Sequence, residues 1–151
     1  MEYNQKPLKH NLSKTERQRM QYKFWEELLD KCNKKTNLFS TIGPSRTERF
    51  ISKRVKRGWY YFTIRSENRL HAGFNTLDEE FYYYLKNKKT EIENKFGGSL
   101  LWEAFSPRER RICWECKYRF DEVEKWEIIY DQLADAMARL ENALKQYTHY
   151  M

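Results

Sequence analysis

The sequence is short of the residues that break or staple a chain: 5 glycines, 3 prolines, 3 cysteines and 3 histidines in 151 residues. So little glycine and proline excludes collagen-like and low-complexity chains. Three cysteines exclude a disulfide scaffold. With no apolar signal stretch in residues 1–15, they read as reduced thiols in a cytoplasmic protein. No apolar run approaches the ~20 residues that span a bilayer, so no membrane part is expected. Also absent are G-x-G-x-x-G, the phosphate-binding G-x-x-x-x-G-K-[ST], G-x-S-x-G and H-E-x-x-H. With them go the usual marks of nucleotide-dependent enzymes, serine hydrolases and zinc peptidases. His10, His71 and His149 are scattered, so no metal cluster is visible, and His71 is expected on a sheet surface. No cofactor and no catalytic set is expected.

What is present is aromatic and charged. Aromatics make up 17% of the chain, apolar residues 40% and charged residues 34%, enough to bury a dense core and to exclude wholesale disorder. The formal charge of +7 is uneven. Residues 1–60 hold 15 basic and 6 acidic groups, against 14 and 16 in residues 61–151. Such an asymmetry points to an anionic partner for the first part.

The patterning predicts one α+β domain over residues 13–151, preceded by a loose arm at residues 1–12. Ser13-Lys14-Thr15-Glu16 is a capping box. Met20, Phe24, Trp25, Leu28, Leu29 and Cys32 then recur at helical spacing. Gly43-Pro44-Ser45 is a turn. Phe50 to Val55 is a weak strand and Trp59 to Arg65 a strong one, with Tyr60, Phe62 and Ile64 on one side and Trp59, Tyr61, Thr63 and Arg65 on the other. Leu70 to Asn75 returns after a turn at 66–68. Thr76-Leu77-Asp78-Glu79 opens a second helix, stopped by Gly97-Gly98. Leu100 to Phe105 and Arg111 to Phe120 form a hairpin, and a third box at Asp121–Glu124 opens the last helix. The order is α-βββ-α-ββ-α, hairpins without βαβ alternation, so the sheet is expected to be antiparallel with helices packed on it.

Several landmarks carry a resemblance: Phe24-Trp25, Gly43-Pro44-Ser45, Ile92-Glu93, Phe96-Gly97 and Leu101-Trp102-Glu103. Together they resemble an uncharacterised prokaryotic domain-of-unknown-function family, number four-two-six-eight, over roughly residues 17–147. The resemblance implies a bacterial module that often stands C-terminal to a restriction-type nuclease part, hence a nucleic-acid setting or a nuclease-type partner protein. It implies no catalytic residues.

Three constellations are candidates for function. Arg46, Arg49, Lys53, Arg54, Lys56 and Arg57 run into Trp59 and Tyr61, with Arg65 beyond. Cations neutralise phosphates and exposed aromatics stack on bases, so these nine residues form a candidate nucleic-acid surface. The plainer reading is a solvated edge strand whose aromatics a helix covers. Glu115 and Lys117, with Glu103 on the preceding strand, match the Glu-x-Lys part of a metal-dependent nuclease, without its usual Pro-Asp element. A solvated strand face alternates charges in the same way. Cys113 and Cys116 have redox or zinc spacing, yet on a strand they project to opposite sides. Tyr82-Tyr83-Tyr84 cannot all face the core, which leaves contacts with another element or an interface. The preferred reading is a non-enzymatic nucleic-acid-associated module, the alternatives a protein-interaction domain and a small nuclease. Oligomeric state leaves no trace in the sequence.

Overall fold

A serine hydroxyl starts the first helix. In the computed structural model, which describes residues 13–148, Ser13 Oγ accepts the Glu16 N–H at 3.1 Å and the Glu16 carboxylate accepts the Ser13 N–H at 2.9 Å. The expected box is formed and satisfies two otherwise free donors. Helix α1 (Lys14–Cys32) buries Phe24, Trp25, Leu28, Leu29 and Cys32. It lies against α4 (Trp126–Thr148), whose stripe includes Trp126, Ile129, Tyr130, Leu133, Met137, Leu140 and Leu144. The seam is aromatic. The Phe24 ring meets Phe120, Trp126 and Tyr130 at centroid distances of 5.2, 5.1 and 5.4 Å, within the range where edge-to-face quadrupoles attract. The expected residues 1–12 arm, His10 and His149 lie outside the described residues.

The strands are β1 (Phe50–Val55), β2 (Gly58–Ile64), β3 (Leu70–Thr76), β4 (Leu101–Ser106) and β5 (Glu109–Glu115). They form a five-stranded sheet in the order β1-β2-β3-β5-β4, each neighbouring pair antiparallel. The expected α+β domain is borne out. Period two in each strand and the register together sort every side chain to one face. Ile51, Tyr60, Phe62, Ile64, Ala72, Phe74 and Ile112 face the helices and share one core with them. Leucines and aromatics on both sides exclude water from this layer, which is the main source of its stability.

Four local expectations are corrected. The helix expected from Thr76 to Phe96 is two helices, α2 (Glu79–Lys86) and α3 (Lys89–Phe96). The Lys88 N–H bonds the Leu85 carbonyl at 2.8 Å, three residues back, and this tightened turn redirects the chain. Thus α2 sets Phe81 against Phe74 of β3, 6.4 Å between centroids, and α3 packs on α4. The α2 cap is Asp78, whose Oδ1 accepts the Phe81 N–H at 3.0 Å, while the Thr76 hydroxyl donates to the Arg57 carbonyl at 2.7 Å. The box expected at Asp121–Glu124 does not form, because the Glu122 carboxylate accepts the Arg119 N–H at 2.8 Å and a 3-10 turn (Val123–Lys125) leads into α4. Strand β5 also ends at Glu115, short of the expected Phe120.

Candidate functional site

The second face of the sheet carries Phe50, Ser52 and Arg54 from β1, and Trp59, Tyr61 and Thr63 from β2, with Arg65 just beyond. Next come His71, Gly73 and Asn75 from β3, then Arg111, Cys113 and Glu115 from β5, and Leu101 and Glu103 from β4. None of these belongs to the core shared with the helices. Among the described residues no helix lies on this face, so the expectation of a helix over the aromatics does not hold. Trp59 and Tyr61 are on the side opposite Tyr60 and Phe62, as period two requires.

The sheet covers its own middle. Tyr61 is only 5% exposed, because its ring lies across β3 at Gly73. A Cβ at Gly73 would stand 2.5 Å from the Tyr61 hydroxyl oxygen and 2.8 Å from Cys113 Cβ. Glycine is therefore required there by close approach. The buried Tyr61 hydroxyl makes no hydrogen bond by ordinary geometry. Burial holds it well above the usual tyrosine range and pushes the neighbouring Cys113 thiol up to about 12. Neither is a nucleophile at neutral pH.

Two hollows flank Trp59. The larger, about 500 Å³, is lined by Phe50, Trp59, Tyr61, Thr63, Arg65 and Arg111, among others. The smaller, about 280 Å³, lies at the β1–β2 turn and is lined by Arg54, Lys56, Arg57, Trp59, Leu77 and Asp78, among others. Arg54 rests over the Trp59 ring, its Cζ 5.7 Å from the centroid, a distance at which a cation is attracted to the π face.

The nine candidate residues are thereby dispersed. Arg46 lies over the Tyr22 ring at 4.4 Å. Arg49 holds the backbone: its Nε donates to the Ile64 carbonyl at 3.0 Å and its Nη2 to the Arg65 carbonyl at 3.3 Å. Burial, then Arg17, lowers its pKa from the ordinary value. Lys53 pairs across from Tyr60, on the helix side of the edge strand. Arg57 sits 5.1 Å over the Phe81 ring and 3.6 Å from Asp78. Arg54, Lys56, Trp59, Tyr61 and Arg65 stay together around the two hollows.

The nuclease candidates do not converge on an open position. Glu103 Oε1 accepts from Arg111 Nη2 at 2.9 Å, and Arg111 Nη1 also meets Glu109 at 3.0 Å. Glu115 Oε1 lies 2.8 Å from His71 Nε2 and 3.5 Å from Arg69. Lys117 stands past the end of β5, over the Tyr118 ring at 5.1 Å. No group of three or more His, Cys, Asp or Glu among the described residues is arranged to hold a metal. Cys113 and Cys116 do point apart, the Cys116 thiol reaching Gln132 of α4 at 3.6 Å. His71, expected on the surface, is 1% exposed, its Nε2 2.8 Å from the Glu115 carboxylate. Burial lowers its pKa, against the opposing hydrogen bond to Glu115.

The model of the family described as Domain of unknown function (DUF4268) matches residues 20–148. The chain belongs to this family. No curated protein and no solved structure gives a significant match. In this DUF4268 domain the residues that sequence reasoning passed over are Phe50, Asn75, Glu109 and Arg111, all lining the larger hollow. Period two alone would place Arg111 beside Cys113 and Glu115, but only the β3–β5 pairing brings it toward Tyr61. The tyrosine triplet divides as expected. Tyr82 is buried, Tyr84 meets Tyr147 at 5.9 Å, and Tyr83 turns outward against the Tyr82 ring.

Proposed function

We propose that this domain is a non-enzymatic binding module for nucleic acid that engages its ligand with the uncovered sheet face. The observation that carries the reading is a pair of hollows that share Trp59, one lined by Arg54 and Lys56 and the other by Arg65, and that no helix fills. Cations there gain by releasing the counterions condensed on a phosphate backbone. An aromatic wall beside them offers stacking that tolerates any base. Of the carboxylates nearby, Glu103 and Glu109 share Arg111 and Asp78 pairs with Arg57, so none of the three is paired with Arg54, Lys56 or Arg65. Buried unpaired cysteines accord with a reducing cytoplasm. No helix among the described residues is long and apolar enough to cross a membrane.

The test is binding of labelled DNA to the full chain across a salt series, read by fluorescence anisotropy. Affinity falling steeply with salt, and weakened in an Arg54→Glu/Arg65→Glu variant that melts like the parent, is the expected result. No binding at low salt overturns the reading.

A further inference from the structure

We infer that the two hollows form one nucleotide site for an unpaired strand, with Trp59 as the shared wall, the base in the larger hollow and the phosphate in the smaller. This rests on the nucleic-acid reading above and goes further, since it names which form of nucleic acid is taken and which part goes where.

The argument begins with Trp59, which lines both hollows. The larger one is built as a base pocket would be. Its walls are Phe50, Trp59 and Tyr61, and its polar groups are Thr63, Arg65, Ser66, Asn75, Arg111 and Glu109, the last paired with Arg111 at 3.0 Å. About 500 Å³ lies within the ordinary span of small-ligand sites, which pair apolar walls with a few placed polar groups. Phe50 is 48% exposed, an apolar ring left at the rim. The smaller hollow has a different chemistry. Arg54, Lys56 and Arg57 surround it, and its one carboxylate, Asp78, is already engaged by Arg57 and by the first turn of α2. That is a surface for an anion. A nucleotide has this same division, an aromatic plane joined to a phosphate.

The pairing selects against duplex. In a double helix the base faces are stacked inside, and only group edges and phosphates reach a protein. A base can enter the larger hollow only when unpaired. A duplex would meet the cations of the smaller hollow alone, by the sequence-independent electrostatic term.

The experiment uses the full chain with labelled oligodeoxythymidine, a perfect duplex of equal length, and the same duplex carrying one bulged nucleotide. Single strand is expected to bind at least tenfold tighter than perfect duplex, with the bulged duplex between them. Trp59→Ala is expected to weaken single-strand binding by about ten- to a hundredfold, the range for losing one stacked base, and perfect-duplex binding by clearly less. Trp59→Leu keeps an apolar wall without a stacking plane, and should show the same loss if the alanine variant misfolds. Arg54→Ala/Lys56→Ala is expected to lower the salt slope by about one, without erasing the strand preference. Equal affinity for all three probes, unmoved by either Trp59 variant, overturns the nucleotide site and leaves the nucleic-acid reading standing. Thymidine monophosphate binding as tightly as the oligonucleotide overturns the strand as occupant. No binding of any probe at low salt overturns both readings together.

Discussion

The two faces of the sheet are made from alternate residues of the same strands, yet they are different materials. Toward the helices stand Tyr60, Phe62, Ile64, Ala72, Phe74 and Ile112, nearly all fully buried in one core. On the other side stand Trp59, Tyr61, Arg65, His71, Arg111 and Glu115, packed on one another and open above. The first face is closed by elements distant in sequence. The second is closed only by its own long side chains and by the absence of a side chain at Gly73. Burial on the first face buys stability, and incompleteness on the second leaves two hollows beside Trp59.

The largest effect that would break this contrast lies on the helix face. Phe74→Ala should cost about 3–5 kcal/mol, the range for deleting a buried aromatic, read as a lowered urea midpoint. Trp59→Ala, one register position away from the Phe74 partner Tyr60, should cost about 1 kcal/mol. Equal losses would mean that the uncovered face is as much a core as the covered one.

Gly73→Ala comes next. Its methyl would meet the Tyr61 ring and Cys113 Cβ below 3.0 Å, an overpacking worth about 1–3 kcal/mol. The ring would be lifted into the larger hollow, so oligonucleotide affinity should fall as well. Pairing Gly73→Ala with Tyr61→Ala should restore most of the stability, measured as a double-mutant cycle. Additive losses would show that Tyr61 is not what Gly73 accommodates.

A smaller effect separates two arginines of one basic run. Arg49→Ala removes two hydrogen bonds to carbonyls at the β2 end and should cost about 1 kcal/mol, in line with charge-assisted bonds at a partly exposed site. Arg54 is exposed, and Arg54→Ala should stay within about 0.5 kcal/mol, though it should weaken nucleic-acid binding. The opposite ranking in thermal melts would reverse their assigned roles.

The smallest is a slope. Burial lowers the His71 pKa in the folded chain, so below about pH 6.5 the unfolded chain binds more protons than the folded one. The contribution of His71 to stability is thus fully present above that pH and is lost as pH falls through the lowered folded value. Urea midpoints recorded from pH 7.5 to 5 should decline less in His71→Gln than in the parent. Parallel declines would assign the acid sensitivity elsewhere.

Much of the architecture could be read from spacing. Local interactions within three or four residues govern capping and amphipathic stripes, which is why α1, the β1–β3 run and α4 appear where Ser13, the Trp59–Arg65 alternation and Trp126–Leu144 place them. Failures occurred where another partner, near or far along the chain, competed for the capping group. Thr76 gave up its capping role to reach the Arg57 carbonyl, and Glu122 turned to the Arg119 N–H. The long helix broke at Asn87 and Lys88 so that each half could meet a different surface, β3 for α2 and α4 for α3. Of the candidate site, the faces of Trp59, Tyr61 and Arg65 were legible, but the fate of the cations was not. Charge counts treat Arg46, Arg49, Arg54 and Arg57 alike, whereas the Tyr22 ring and two backbone carbonyls draw Arg46 and Arg49 away and leave Arg54 and Arg57 at the smaller hollow.

The sequence by itself determined the class of fold, the antiparallel hairpins and which residues share a strand face, because these follow from periods of 3.6 and 2 and from chemistry close along the chain. Only the tertiary structure decided that the helices would gather on the Tyr60 side, that β5 would pair with β3, and that His71 would be buried. Those outcomes depend on contacts between segments far apart in sequence, where shape and desolvation rather than local preference choose the partner. The two hollows around Trp59 are the result of that choice.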